Sequence, residues 1–156
     1  MKHVWIAALF ALSGLAQAAG PQVEMWKTPT CGCCKDWVRH LEDNGFDVKV
    51  HDVADTSAQR AALGIPSELG SCHSARVEGY ALEGHVPASE IKRLLKERPK
   101  AVGLAVPGMP LGAPGMDDPA YRGVKHEYRV LLVDKSGSYR NYRPYPGNQT
   151  DRNAAR

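Results

Sequence analysis

Three cysteines packed into four residues constrain this chain more than any other feature. Cys31, Cys33 and Cys34 stand between a short alternating segment and a helical one. Residues 23–27 alternate apolar and polar side chains, which is typical of a strand. After residue 35 the apolar side chains recur at helical spacing. The chain therefore passes from a strand to a helix through a junction that holds three thiols.

The rest of the chain predicts alternating strands and helices. A hairpin is expected around Glu78-Gly79, and a Gly/Pro-rich loop over residues 102–115. The remaining predicted elements are strands at 46–50, 128–133 and 138–143 and helices at 35–44, 57–63 and 90–97. This order, with a cysteine-bearing helix directly after the first strand, predicts an α/β chain with a thioredoxin-like fold and an added C-terminal β-hairpin.

The first 18 residues have the three-part layout of a secretory signal peptide. A basic start at Lys2 precedes an apolar run over residues 4–15, and Ala16 and Ala18 place small residues at the two positions that a signal peptidase reads. The run is short for a permanent membrane anchor. We therefore predict export to the periplasm, with cleavage after Ala18.

The mature chain is predicted to form one soluble domain. Removing 18 of the 156 residues leaves 138, which we divide into a metal-binding domain over residues 19–146 and a flexible tail over residues 147–156. Loss of Lys2 lowers the formal net charge from +3 to +2. Such a small charge argues against nucleic acid or an anionic membrane surface as a partner.

Export changes what the cysteines are expected to do. Outside the cytosol thiols are oxidised or bound to metal, so two disulfides are the simplest expectation for Cys31, Cys33, Cys34 and Cys72. Cys31 and Cys34 alone have the spacing of a redox pair. Cys33 beside them would compete in every mixed disulfide. It is useful, however, to a metal site, because each thiolate is one more soft donor.

The donor set favours copper(I) over other soft metals. Zinc usually takes a closed tetrahedral set of four ligands, which three neighbouring cysteines fit poorly. The run also lacks the usual cysteine spacing of iron–sulfur proteins. Crowded thiolates instead suit a multinuclear copper(I) cluster in which each sulfur bridges two metal ions.

Two methionines and two histidines are weaker candidates for the same site. Met109 and Met116 lie in the Gly/Pro-rich loop, and thioether sulfur is a soft neutral ligand that suits copper(I), although methionine also commonly fills gaps in a core. His73 adjoins the fourth cysteine, and His85 lies in a turn. His40 is expected to be solvated on the polar face of the first helix.

Five motifs together resemble the CopG-type periplasmic copper-resistance proteins, and the resemblance extends from about residue 23 to residue 142. The motifs are TPTCGCCK (28–35), GIP (64–66), SCH (71–73), EGHVPA (83–88) and GLAVPGMP (103–110). The resemblance implies a thioredoxin-like fold, a cysteine-bridged copper cluster and a change in the oxidation state of copper during detoxification.

Carried over by motif position, the cluster ligands are Cys31, Cys33, Cys34 and Cys72. More loosely, the resemblance makes Met109, Met116, His73 and His85 outer ligands or their neighbours. The implied partners are copper ions and other periplasmic copper-resistance or efflux components. Some relatives carry an extra metal-binding tail, but residues 147–156 contain no Cys, Met or His, so no second site is expected there.

Three hypotheses therefore remain open. The first is a periplasmic copper-binding protein that interconverts copper(I) and copper(II). The second is a thiol–disulfide oxidoreductase that uses Cys31 and Cys34. The third is a purely structural role for two disulfides, such as Cys31 with Cys34 and Cys33 with Cys72.

Overall fold

The structure, a computed structural model, describes residues 20–148. The predicted signal peptide and all but the first two residues of the predicted tail lie outside this range. Cleavage after Ala18 and a flexible tail therefore stay predictions. Among the described residues, no helix combines the length and the apolar character needed to cross a membrane.

Seven strands form a single mixed sheet in the order β2-β1-β3-β4-β5-β6-β7. The strands are β1 (Gln22–Lys27), β2 (Asp47–Asp52), β3 (His73–Val77), β4 (Tyr80–Glu83), β5 (Gly103–Ala105), β6 (Tyr128–Val133) and β7 (Tyr139–Tyr145). The α-helices are α1 (Gly32–Asp43), α2 (Ser57–Ala62) and α3 (Ala88–Glu97), and short 3-10 helices cover Ser67–Leu69 and Pro119–Tyr121. The α/β class and the added C-terminal hairpin of β6 and β7 are thus confirmed.

The pairing directions explain how the helices are placed. β1 pairs in parallel with β2, and β4 with β5. Parallel neighbours need a crossover connection, which α1 and α3 supply. All the other neighbours are antiparallel, including the β3–β4 hairpin. Its turn places Glu78 and Gly79 at positive φ (44° and 87°), the backbone that tight hairpin turns require.

Both faces of the sheet carry apolar side chains. The larger cluster joins β1, β3, β4 and β5 to α1 and α3, and its largest members include Met25, Trp37, Leu41, Leu82 and Leu94. Side chains of a strand alternate between faces. Ala81 and Ala105 are next to members of this cluster along their strands, so their side chains point to the opposite face of the sheet. There they contact Ile65 and Leu69.

Two differences from the sequence predictions affect the site. Helix α1 begins at Gly32 rather than at residue 35, so Cys33 and Cys34 lie in its first turn. The predicted loop at 102–115 contains strand β5, whose three residues are all buried between β4 and β6. A three-residue strand covered on both faces has no alternation by which to recognise it.

Candidate metal centre

The sheet register brings the fourth cysteine to the other three. Strand β1 runs directly into the cysteine junction, and β3 pairs antiparallel with β1 so that His73 lies opposite Lys27. The start of β3 therefore lies beside the end of β1. Cys72, immediately before β3, reaches the first turn of α1 although it is 38 residues from Cys34 along the chain.

All four cysteine sulfurs fall in one cluster, within 4.8 Å of one another. Cys31 and Cys34 form a disulfide, whereas Cys33 and Cys72 are free thiols. The sulfur of Cys72 lies 3.5 Å from that of Cys34 and 4.0 Å from that of Cys33, and Cys33 lies 3.6 Å from Cys31. Of the two disulfides in the structural hypothesis, the first is thus formed and the second is not.

Cys72 also belongs to a second donor set, together with His73 and His85. Its sulfur is 3.3 Å from Nδ1 of His73 and 3.1 Å from Nε2 of His85. Both imidazoles are fully buried. We call Cys31, Cys33 and Cys34 the helix limb of the site, and Cys72, His73 and His85, which flank the open end of the β3–β4 hairpin, the hairpin limb.

The protonation of His85 follows from its backbone contact. Its Nδ1 donates a hydrogen bond to the carbonyl oxygen of Pro114 at 2.8 Å, because a carbonyl only accepts. Burial lowers the pKa of His85, although the contact with Pro114 opposes that shift. The ring is therefore neutral at pH 7 and turns the lone pair of Nε2 towards Cys72. That tautomer is the one that binds a metal through Nε2.

His73 has an unpaired nitrogen. Burial lowers its pKa well below the ordinary value, and the neighbouring His85 adds to this, although a contact with the Gly84 backbone opposes it. The ring packs against Trp37 with centroids 4.4 Å apart. Its Nε2 is buried and finds no hydrogen-bond partner within residues 20–148. Buried polar atoms rarely lack a hydrogen-bond partner.

The Cys72 thiol is held in its protonated form. Burial, and next the neighbouring Cys33, raises its pKa to about 12, although a contact with the Ser71 hydroxyl opposes the shift. A thiolate is the form that binds metal. A metal ion that bound this sulfur would therefore have to displace a proton from Cys72, and its positive charge would stabilise the thiolate.

The loop over residues 106–116 packs along both limbs and needs glycine where it touches them. A Cβ on Gly115 would meet the carbonyl oxygen of Cys33 and the amide nitrogen of Trp37, each at 2.7 Å. A Cβ on Gly84 would meet the carbonyl oxygen of Val106 at 2.5 Å. Both glycines have positive φ (80° and 67°) as well, so the close approach and the backbone both select glycine.

The two methionines of this loop have different surroundings. Met116 is buried in the core with 6% exposure, whereas Met109 is 55% exposed. Met109 follows Gly108, whose carbonyl oxygen accepts a hydrogen bond from the Ser71 hydroxyl, next to Cys72. Both methionines stay predicted outer ligands. Of the two, only Met109 is open to an incoming metal ion or partner.

The remaining described histidines have other contacts. His40 was expected to be solvated, which is wrong: its Nε2 accepts a hydrogen bond from the Ala88 amide at 3.0 Å, where α1 meets α3. His51 pairs with Glu24 at 2.9 Å, and the Nδ1 of His126 accepts from the Leu111 amide at 3.3 Å. The sequence prediction thus selected the two histidines that do reach a cysteine.

Sequence reasoning missed the polar support of the hairpin limb. The Glu83 side chain is fully buried and accepts hydrogen bonds from Arg60 and from the Ser71 amide. The one signal in the sequence is an acidic residue at the end of an otherwise apolar strand, two residues before His85. A charge in that position is rarely buried without a partner.

Comparison with known proteins places this site in a family. A family profile described as "Protein of unknown function, DUF411" matches residues 69–116, the segment that holds the hairpin limb and both loop methionines. No curated protein matches the chain.

Two solved structures are similar along most of the chain. One, titled "Copper resistance protein copG- Form 2", is 43% identical, with a TM-score of 0.76, and the match covers 81% of this chain and 99% of that one. The other, "Copper resistance protein copG- Form 1", is 44% identical, with a TM-score of 0.75 and coverage of 81% and 98%. From this identity over nearly the whole length of the relatives, the chain belongs to the CopG copper-resistance protein family.

Proposed function

We propose that this protein is a periplasmic copper-binding protein of copper resistance that holds copper(I) in a cysteine-bridged, multinuclear cluster. Cys31, Cys33, Cys34 and Cys72 are the bridging ligands, and His73 and His85 complete the site on the hairpin side. The observation that carries the proposal is the convergence of four sulfurs within 4.8 Å, with two buried imidazoles against one of them.

The chemistry of these donors fits copper. Thiolate is a soft ligand that favours copper(I), and imidazole serves copper in either oxidation state. The Nδ1 of His73, which lies 3.3 Å from the Cys72 sulfur, and the protonated, partly buried thiol of Cys72 are both groups that could bind a cation. Bound copper would supply a one-electron redox couple, and we propose that the family's part in resistance includes the interconversion of copper(I) and copper(II) at this site.

The disulfide sets a condition on loading. Two electrons and two protons convert the Cys31–Cys34 bond into two thiols, and only then do four cysteines become available as ligands. Until that happens, Cys33 and the hairpin limb are the only donors of the described cluster that are free. Reduction of the disulfide therefore precedes formation of a four-sulfur cluster, and a thiol reductant or a partner protein in the periplasm has to supply the electrons.

An anaerobic titration tests the proposal. The reduced protein should bind several copper(I) ions, measured as metal retained after gel filtration, and both Cys33→Ser and Cys72→Ser should retain fewer. Met25→Leu is the control, because it removes a buried sulfur from the core of β1, outside the cluster. If both serine variants retain as much copper as the wild type, the cluster hypothesis is wrong.

The disulfide itself favours a second candidate function. Cys31 and Cys34 lie at the start of α1, with the spacing and the bond of a thiol–disulfide oxidoreductase. In that reaction the dithiol form would reduce a substrate disulfide to two thiols and become the Cys31–Cys34 disulfide. Rapid exchange with a small disulfide by metal-free protein, retained in Cys33→Ser, would favour this function. Slow exchange, or exchange blocked by copper(I), would favour copper binding.

A further inference from the structure

Glu83 is a buried carboxylate at the end of β4, next to the hairpin limb. Its side chain is fully buried, and it lies on the same face of the sheet as Ala81, away from the main core. Arg60 of α2 pairs with it, Nε to Oε1, at 2.8 Å, and the Arg60 side chain is 13% exposed. The pair therefore lies next to the hairpin limb, on the face of the sheet away from the main core, and has little access to solvent.

Apart from a hydrogen bond from Arg60 to the Thr56 hydroxyl at 3.2 Å, the further side-chain hydrogen bonds of the pair lead to the residues on either side of Cys72 and His73. The Ser71 amide donates to Oε1 of Glu83 at 2.7 Å, and the Ser74 hydroxyl donates to Oε2 at 2.5 Å. Arg60 donates through Nη2 to the Ser71 carbonyl oxygen at 2.9 Å. Both polar backbone groups of Ser71 are thus fixed by one ion pair. Cys72 and His73 are the two residues between the anchored serines.

The same residue also fixes the other side of the hairpin limb. The Glu83 carbonyl oxygen accepts from the Val106 amide at 2.9 Å, and the next amide, that of Gly84, donates to the His73 carbonyl oxygen at 2.9 Å. His85 follows directly. Glu83 is therefore bonded, through side chain or backbone, to the segments that carry all three donors of the hairpin limb.

Stability alone does not account for such a pair. Burying two charges costs desolvation that their attraction often only balances, and apolar replacements of similar volume are commonly neutral or stabilising. Groups that orient metal ligands, by contrast, typically change metal affinity 10- to 100-fold when they are removed. Three hydrogen bonds from the side chains of the pair end on Ser71 and Ser74, which adjoin Cys72 and His73, and this arrangement has the second character.

We propose that the Glu83–Arg60 pair is a positioning device that holds Cys72, His73 and His85 in their metal-binding arrangement. This inference rests on the proposed copper-binding function. Neither residue is a ligand in the proposal. The pair acts by fixing the backbone on both sides of the open end of the hairpin, so that copper does not have to order that backbone when it binds.

The chain offers a matched control in the same sheet. Glu24 of β1 pairs with Arg76 of β3 through Oε2, with Nε at 2.7 Å, and also contacts His51. That pair is more exposed, at 21% and 58%. Glu24→Gln therefore removes the charge of an Arg–Glu pair from the sheet without touching the segments next to the cysteines.

The experiment compares Glu83→Gln, the double variant Arg60→Met/Glu83→Leu and the control Glu24→Gln with wild type. Copper(I) affinity is measured on anaerobic, reduced protein by competition with a chromophoric chelator. Folding stability is measured by urea denaturation of the metal-free protein. We expect affinity to fall about 10- to 100-fold in Glu83→Gln and in the double variant. The urea midpoint of the double variant shows whether any loss of affinity accompanies a loss of folding stability, since the replacement leaves polar groups of Ser71 and Ser74 without partners. Glu24→Gln should bind copper(I) as wild type does.

A measurement without copper completes the test. In the metal-free, disulfide-bonded protein, Cys72 should react faster with iodoacetamide in Glu83→Gln than in wild type, because its backbone is no longer fixed in the position that keeps its side chain partly buried. The labelled cysteine is identified by peptide mass. Glu24→Gln should leave the rate unchanged.

The outcomes separate the positioning role from its alternatives. Wild-type affinity in both Glu83→Gln and the double variant overturns the proposal and leaves the proposed function standing. If Glu83→Gln lowers the copper(I) affinity but the folded double variant does not, the pair has a merely structural role. That result also overturns the proposal. If wild-type protein binds no copper, the proposed function fails, and the alkylation rate of Cys72 still decides whether the pair positions that thiol.

Discussion

The two limbs of the candidate metal centre are built in different ways. The helix limb is local: three cysteines within four residues, at the start of one helix, with two of them joined in a disulfide. The hairpin limb is assembled from residues 13 apart along the chain, Cys72 and His85, and holds a thiol and two fully buried imidazoles. A redox reaction therefore changes the helix limb most directly, whereas the geometry of the hairpin limb depends on the sheet.

The largest expected effect is that of the disulfide on copper binding. Reducing the Cys31–Cys34 bond adds two thiol ligands to the centre. Loss of ligands should cost more than the 10- to 100-fold typical of their supporting contacts. We therefore expect copper(I) affinity to be at least about a hundredfold lower in the disulfide-bonded protein, measured by chelator competition under anaerobic conditions. Equal affinities would mean that Cys33 and the hairpin limb bind copper without Cys31 and Cys34, and would contradict the proposed four-sulfur cluster.

The next effect concerns the loop that touches both limbs. Gly115→Ala adds a methyl group against the Cys33 carbonyl oxygen at a positive φ, so we expect a loss of about 2–4 kcal/mol in the free energy of unfolding. Gly108→Ala is the matched control, because Gly108 also has a positive φ (69°) but has open space around its Cβ position. Its cost should be nearer about 1 kcal/mol.

Urea denaturation of the metal-free variants provides the comparison. If both substitutions cost the same, the backbone conformation accounts for the effect, and the close approach to Cys33 contributes nothing. A larger cost for Gly115→Ala shows that the loop and the helix limb are packed as one unit.

A third prediction concerns the thiol of the hairpin limb. In disulfide-bonded Cys33→Ser, Cys72 is the single free thiol, and burial, the main cause of its raised pKa of about 12, is still present. Because only the thiolate reacts, its alkylation rate should rise about tenfold per pH unit from pH 7 to pH 10. The same variant unfolded in urea should level off above about pH 9, as an ordinary thiol does. A plateau near pH 9 in the folded protein would show that Cys72 is not held as a thiol.

The smallest effect is expected at the surface. Met109 is 55% exposed, so Met109→Leu should change the free energy of unfolding by less than about 0.5 kcal/mol. Its copper(I) affinity at equilibrium should stay within about threefold of wild type, since the thioether is at most an outer ligand. Chelator competition measures this, with Cys72→Ser as the reference for loss of a true ligand. A loss as large as that of Cys72→Ser would place Met109 among the principal ligands.

The contrast between the limbs also explains what the sequence could predict. The helix limb, the prediction that it binds a soft metal and the hairpin turn at Glu78-Gly79 all follow from the spacing of neighbouring residues. The order of elements predicted an α/β chain with a C-terminal hairpin. Cys72, His73 and His85 were identified as candidates, but their meeting depends on the antiparallel register of β3 with β1, which no local pattern encodes.

The failures have physical reasons of the same kind. Strand β5 is three buried residues without alternation, so its neighbours in the sheet define it rather than its own sequence. His40 lies on the polar side of α1, but the start of α3 covers it. The ion pair of Glu83 with Arg60 joins two residues that are 23 positions apart along the chain. In each case a tertiary contact overrides the local preference.

The two-residue turn of the β3–β4 hairpin has a consequence for how the chain tolerates changes in length. In this hairpin Ser74 lies opposite Glu83, which brings His73 and His85 to the same open end. Because strand side chains point to alternate faces, inserting one residue at Glu78-Gly79 would turn one strand over relative to the other and separate the two imidazoles. A change in the length of the connection over residues 53–70 leaves the number of residues between Cys72 and His85 unchanged. Homologues and engineered variants should therefore gain or lose residues between β2 and β3, while the spacing from Cys72 to His85 stays fixed.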